Sequence, residues 1–169
     1  MQYSIIAEKR EQNPLKKMYE VETMVALSFK VFKDKLVSRE KQQTIRPINI
    51  PRIEQMKRLG IQIYWKQRNP KESEKLYNAK LKSFMYIKFD KKGYPRYRVI
   101  TDDPFGPLEI EPKLSELTLE EQKELAKRDG FGSINEMAKW FLNEYGENLT
   151  TTPFLGAPEY FMVIQWEEV

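Results

Sequence analysis

The sequence predicts an α+β fold, a small β-barrel of short strands with short flanking helices. Three observations predict it. Short apolar or alternating runs recur at Met24–Phe29, Ile61–Trp65, Leu81–Phe89 and Tyr160–Trp166, each of strand length. Brief segments of helical period separate some of them. Strands and helices do not alternate in the regular way that builds a parallel βαβ sheet. At 169 residues a single domain is expected, assigned to residues 23–169, with residues 1–22 as an N-terminal extension.

Taken in order, the extension alternates charge and polarity and contains Asn13-Pro14, with Tyr3–Ala7 as a possible edge strand. Met24–Phe29 is short and apolar and reads as a buried strand. Val31, Phe32, Lys35 and Leu36 fall at helical spacing, which predicts a short helix over Val31–Ser38. Gln42–Arg46 is extended and ends at Pro47. Pro51–Arg58 is a second short helix, with proline in its first turn and Gly60 at its exit. Ile61–Trp65 alternates as a strand, and a basic loop runs from Lys66 to Lys75. Leu81–Phe89 and Tyr97–Ile100 form a hairpin around the turn residues Asp90–Pro95. The region 66–116 is thus an inserted hairpin and loop, closing with the proline-rich loop Asp102–Pro112. Leu117–Arg128 is an amphipathic helix with Leu117, Leu119 and Leu125 as core candidates. Ser133-Ile134-Asn135-Glu136 has the capping-box pattern that opens a helix over Ile134–Tyr145, where Ile134, Met137, Phe141 and Tyr145 make one apolar stripe.

Composition excludes several chemistries. The chain has no Cys and no His, which removes thiolate and imidazole from metal binding and catalysis. Neither a metal nor another cofactor is expected. Chemistry would rest on Lys, Thr, Ser, Tyr, Arg and carboxylates, with lysine acting as a base only where burial or nearby cations lower its pKa. No run approaches the roughly 20 apolar residues of a membrane helix, and Met1–Gln12 lacks the pattern of a secretory signal. No membrane partner and a cytoplasmic location are therefore expected. The net charge of +4 is unevenly spread: 13 basic and 3 acidic residues between Lys57 and Arg98, against 4 basic and 10 acidic between Asp102 and Glu136. Two readings stand, a positive face opposed to a negative one or scattered solubilising lysines.

The most informative stretch is Leu36–Pro47, which groups Lys41, Thr44 and Arg46 within six residues. An ammonium, a hydroxyl and a guanidinium so close can hold an anion or activate the hydroxyl. Strand alternation places Thr44 and Arg46 on one face. Lys41 joins them only if it sits in the turn before the strand. The competing reading is a solvated turn lysine followed by a strand-favouring threonine.

The Lys41-x-x-Thr44-x-Arg46 segment resembles the signature of the ASCH domain family. The order of elements agrees: strand, short helix, signature, short helix, the strand ending Tyr64-Trp65-Lys66-Gln67-Arg68, the turn Arg128-Asp129-Gly130-Phe131, a helix ending in Tyr145, and a closing apolar strand. The resemblance spans roughly residues 23–168 and implies a PUA-like β-barrel with a cleft beside the signature and an RNA-related role. Some family members are amidohydrolases of N4-acetylcytidine and others ribonucleases. Carried over, the resemblance implies Lys41, Thr44 and Asp129 as catalytic candidates. The chain departs from the family in carrying Arg39 where glycine is common, Asp129 where small amidohydrolases have glutamate, and a longer 66–116 region.

Arg46 and Arg68 are the candidates for gripping phosphate, although Arg46 could instead pair with Asp129. Of the aromatic pair Tyr64 and Trp65, one ring faces inward and Trp65 is favoured for the cleft, where it could stack on a base. The hairpin residues Tyr94, Arg96, Tyr97 and Arg98 either extend a nucleic-acid track or pack the insertion. The expected partner is RNA or a modified nucleoside. The leading reading is an RNA- or nucleotide-binding module, the alternative a hydrolase, and a third a protein-interaction domain.

Overall fold

The computed structural model describes residues 23–105, 112–149 and 160–169. The extension, and with it the strand expected at Tyr3–Ala7, lies outside them. Within the described residues the order is β1 (Val25–Phe29), α1 (Lys33–Val37), β2 (Gln43–Pro47), α2 (Ile50–Leu59), β3 (Ile61–Trp65), β4 (Glu74–Phe89), β5 (Pro95–Ile100), β6 (Lys113–Glu116), α3 (Leu119–Arg128), α4 (Ile134–Tyr145) and β7 (Phe161–Glu168), with a 3₁₀ turn at Gly146–Leu149. The class is α+β, and the seven strands form one curled sheet, a half-barrel.

β4 is the spine of that sheet. Its first residues pair with β3, its middle with β7 and its end with β5, all antiparallel. Register shifts between Leu81 and Ser83 and between Lys88 and Phe89 mark irregularities of the kind that bend a strand. Such bends let one ribbon serve three ladders. The sequence places the start of this strand at Leu81; it begins at Glu74, because residues 74–80 present a polar outer face and bury only Tyr77 and Ala79. β6 lies just past the proline-rich loop, in residues to which the sequence assigns no element. All four of its residues are exposed, so it carries no apolar alternation and is held by its ladder with β5.

Two cores lie on opposite faces of the sheet. β7 serves both: Met162, Ile164 and Trp166 belong to the inner core, Phe161 and Val163 to the outer one. A strand buried on both faces reads as a continuous apolar run, which is why it was plain in the sequence. The outer core is closed by α3 and α4 through Leu125, Met137 and Phe141, with Phe89, Phe141, Tyr145 and Phe161 in mutual ring contact.

The helix termini follow the sequence with two corrections. The reciprocal capping box sits at α3, where Thr118 Oγ1 accepts from the Glu121 N–H at 3.2 Å and the Glu121 carboxylate accepts from the Thr118 N–H at 2.8 Å. At α4, Ser133 caps the Glu136 N–H at 3.1 Å, but Glu136 reaches back to the Gly132 N–H at 2.8 Å rather than to Ser133. Leu119, expected in the core, is 55% exposed. Starting the helix at Leu119 turns that side chain outward, and Gln122 takes the buried position, donating to Leu117 O at 3.1 Å.

The basic and acidic stretches interlock. Arg98 pairs with Glu121 at 3.0 Å, Lys80 with Glu167 at 3.0 Å, and Arg96 with Glu116. Tyr94 Oη donates to Asn135 Oδ1 at 2.8 Å. The Tyr94–Arg98 segment therefore packs onto α3 and α4.

Arg39, at the position where the resemblance suggests glycine, has φ +66°. The left-handed region costs an L-residue about 1–2 kcal/mol. Arg39 offsets this with a two-pronged bond to Glu168 at 2.6 Å and a guanidinium 3.9 Å from the Tyr77 ring centroid. Both Arg39→Ala and Arg39→Gly lose those contacts, but only glycine relieves the backbone. The glycine variant is expected to be the more stable of the two by about 1 kcal/mol in urea denaturation; an alanine variant as stable as the glycine one would show that the left-handed backbone carries no penalty here.

Candidate functional site

Among the described residues the half-barrel does not close, since β1 pairs only with β3 there, and β2 only with β7. A cavity of about 860 Å³ opens between these two unpaired edges. Lys41, Thr44, Arg46, Arg68 and Asp129 all line it. A second, shallower depression of about 720 Å³ lies between the β4–β5 hairpin and α3, away from these residues.

β2 places Thr44 opposite Ile164 and Arg46 opposite Met162 in its ladder with β7, so both side chains take the inner face. Lys41 lies two residues before β2, outside the regular strand, and its N–H donates to Lys35 O at 2.9 Å. That irregular entry lets its side chain turn inward with the other two. Lys41 and Asp129 are each at least 95% buried.

Asp129 ends α3, and the chain then turns through Gly130 at φ +99°. A Cβ at Gly130 would come within 3.0 Å of the Phe32 ring and 3.4 Å of the Lys41 side chain, so glycine is needed at this close approach. Lys41 Nζ donates to Asp129 Oδ1 at 2.8 Å and also to the Asp129 carbonyl. Lys35 Nζ donates to Gly130 O at 2.6 Å. Two ammonium groups thus meet the carbonyl end of α3, where the helix dipole favours cations.

Burial works against both charges of the pair. It pushes the Asp129 carboxyl up to about 6, against the opposing pull of Lys41, Arg46 and the Ile45 N–H. It pushes the Lys41 ammonium down from its ordinary range, with Asp129 opposing and Arg46 and Lys35 adding to the shift. Arg46 is lowered first by burial and then by the Arg52 charge. Perturbed groups of this kind in a cleft mark functional-site candidates.

The Lys41 ammonium is directed at Asp129, and among the described residues no hydrogen bond joins it to Thr44. Arg46 does not pair with Asp129; its Nη2 donates to Ser28 O at 2.8 Å and its guanidinium lies 5.3 Å from the Phe29 ring centroid. Trp65, favoured for the cleft, is not among the lining residues. It packs half-buried against the inner core, with the Lys33 and Lys66 ammonium groups 5.9 and 5.6 Å from its ring. Trp140 and Tyr145 of α4, with Phe29, Phe32 and Phe131, supply the aromatic wall instead. Trp140 is offset by one residue from the apolar stripe of α4, and that offset was the available signal. Arg52, in the first turn of α2, also lines the cavity and carried no sequence signal beyond its charge.

Among the described residues no group of three or more His, Cys, Asp or Glu side chains gathers as a metal site, and no helix is long and apolar enough to cross a membrane. Comparison with protein-family models, curated proteins and solved structures returned no match.

Two measurements follow from the pair. A carboxyl whose folded pKa exceeds its unfolded value favours the folded state most when protonated. The contribution of Asp129 to stability therefore falls as pH rises from 3.8 to about 6. The Asp129 carboxyl carbon is expected to titrate near 6 by NMR; a midpoint near 4 would show a well-solvated group. Lys41→Met alone strands a buried carboxylate and is expected to lose about 3–5 kcal/mol, whereas Lys41→Met with Asp129→Leu regains at least half of the loss. Simple additivity in urea denaturation would show that the two residues are not coupled.

Proposed function

We propose that this chain is an RNA- or nucleotide-binding module of the ASCH, PUA-like type, with the ligand held in the cavity between β1 and β2. One observation carries the reading: Arg46, Arg52 and Arg68 line the same cavity as Trp140 and Tyr145. Guanidinium groups suit phosphate oxygens through their planar forks. Aromatic faces suit bases, each stack contributing about 1–3 kcal/mol. A volume of about 860 Å³ lies within the roughly 300–1,000 Å³ of small-molecule sites, enough for a nucleotide but not for a folded partner. The buried Lys41–Asp129 pair forms part of the wall and fixes its shape.

Hydrolysis is the second reading, favoured by the shifts of Lys41 and Asp129 toward their neutral forms beside Thr44. In that reading Lys41, released from Asp129, would take the proton of Thr44 Oγ1, which would attack an acyl carbon. The present geometry commits the ammonium to the carboxylate, so binding is the better supported role.

Fluorescence polarisation with a short labelled RNA tests the binding reading. Neutralising three phosphate charges on a single strand gives a log–log salt slope near −2. Arg46→Ala and Trp140→Ala are each expected to weaken binding tenfold or more at low salt. No binding by the wild type at low salt would reject the reading. Acetate release from N4-acetylcytidine, or RNA cleavage, that Thr44→Val and Lys41→Met both abolish would favour the hydrolase instead.

A further inference from the structure

The unpaired edge of β1 shows what kind of ligand end the cavity accepts. In a strand successive carbonyls point to opposite sides. Phe29 O faces the β3 side, where it accepts from the Lys66 N–H at 2.8 Å. Ala26 O and Ser28 O consequently face the gap toward β2. Both are occupied by arginine: Arg52 Nη2 donates to Ala26 O, and Arg46 Nη2 to Ser28 O at 2.8 Å. Two guanidinium groups, one from α2 and one from β2, thus lie along one open strand edge beside the cavity.

Neither guanidinium has an anionic partner among the described residues. Asp129 is held by Lys41, and Glu72 by Lys66 at 2.8 Å. Glu144, the third carboxylate in the lining, is exposed. Arg46 Nε is buried with no acceptor among the described residues, and an unsatisfied buried donor costs about 1–3 kcal/mol. Burial and then the Arg52 charge act against the Arg46 guanidinium, with Tyr145 and Asp129 opposing and Arg68 adding. The rim therefore gathers like charges around donors that only neutral carbonyls occupy.

We infer that Arg46 and Arg52 clamp a terminal phosphate, so that the cavity takes the phosphorylated end of a nucleotide or RNA strand rather than an internal stretch. This rests on the binding reading above and narrows it. An internal phosphodiester carries one charge on two free oxygens. A terminal phosphate carries nearly two charges on three acceptor oxygens, enough to engage two forks and the orphaned Nε together. Charge-assisted bonds of this kind are stronger than those to neutral carbonyls, so both side chains can exchange Ala26 O and Ser28 O for phosphate oxygen. Lys41, Asp129, Met162 and Ile164 are buried residues of the cavity lining, a wall that the end of a strand can meet. Arg68, exposed at the rim, meets the next phosphate along.

The test uses the full chain and one labelled pentameric RNA in three forms: 5′-phosphorylated, 3′-phosphorylated, and hydroxyl at both ends. One phosphorylated form is expected to bind at least tenfold more tightly than the hydroxyl form. Arg52→Gln is expected to weaken binding of the preferred phosphorylated form at least fivefold more than that of the hydroxyl form, shrinking the difference between them to about twofold. Equal affinity of the wild type for all three forms would overturn the clamp and leave the binding reading intact. Absence of binding to any form at low salt would overturn both. If Arg52→Gln does not fold, the comparison of the three RNAs on the wild type still decides the question.

Discussion

The buried ion pair between Lys41 and Asp129 sets the geometry on which the rest of the site depends. It joins two parts of the chain 88 residues apart, the entry to β2 and the exit of α3. Removing two charges from water is unfavourable by several kcal/mol for each ion, and good geometry with further hydrogen bonds is needed to offset it. Here the second bond, from Lys41 to the Asp129 carbonyl, and the Ile45 N–H on the Asp129 carboxylate supply that help. The pair is poor evidence of stability but strong evidence of placement. With it in position, Gly130 passes beneath Phe32, Phe131 meets Phe32 edge-on with centroids 5.1 Å apart, and α4 is carried to the cavity with Trp140.

The second organising constraint is an absence of pairing. β1 and β2 both border the cavity, yet side chains rather than a backbone ladder span the distance between them. Exposed strand edges invite association with other chains. Arginine on the outward carbonyls of β1 blocks that route and keeps cationic groups at the rim. One pair of side chains thus answers a folding problem and sets two guanidinium groups beside the cavity.

Much of this was legible in the sequence, and what was legible shares a cause. β1, β3 and β7 are short strands whose apolar residues answer to one or two buried faces, so periodicity revealed them. The grouping of Lys41, Thr44 and Arg46 was visible because three chemistries sit within six residues. Whether Lys41 would join the others depended on an irregular backbone before β2, which no periodic pattern records. The polar half of β4 and all of β6 were hidden for a related reason: their residues face solvent, and their ladders are built from backbone groups that every sequence possesses. Trp140 lines the cavity and Trp65 does not, because ring placement there follows from how α4 docks on the sheet, a long-range fact. Arg52 acquires its meaning only from the carbonyl it meets.

The sharing of β4 among three ladders bears on how the molecule comes apart. In a sheet where each strand has its own two neighbours, one end can fray while the other persists. Here β3, β7 and β5 all lean on a single sixteen-residue ribbon, and among the described residues β1, β2 and β6 pair with no strand but those three. Loosening that ribbon anywhere removes the support of elements on both cores. A half-barrel with this wiring is expected to open as one cooperative unit rather than as a set of independently opening segments.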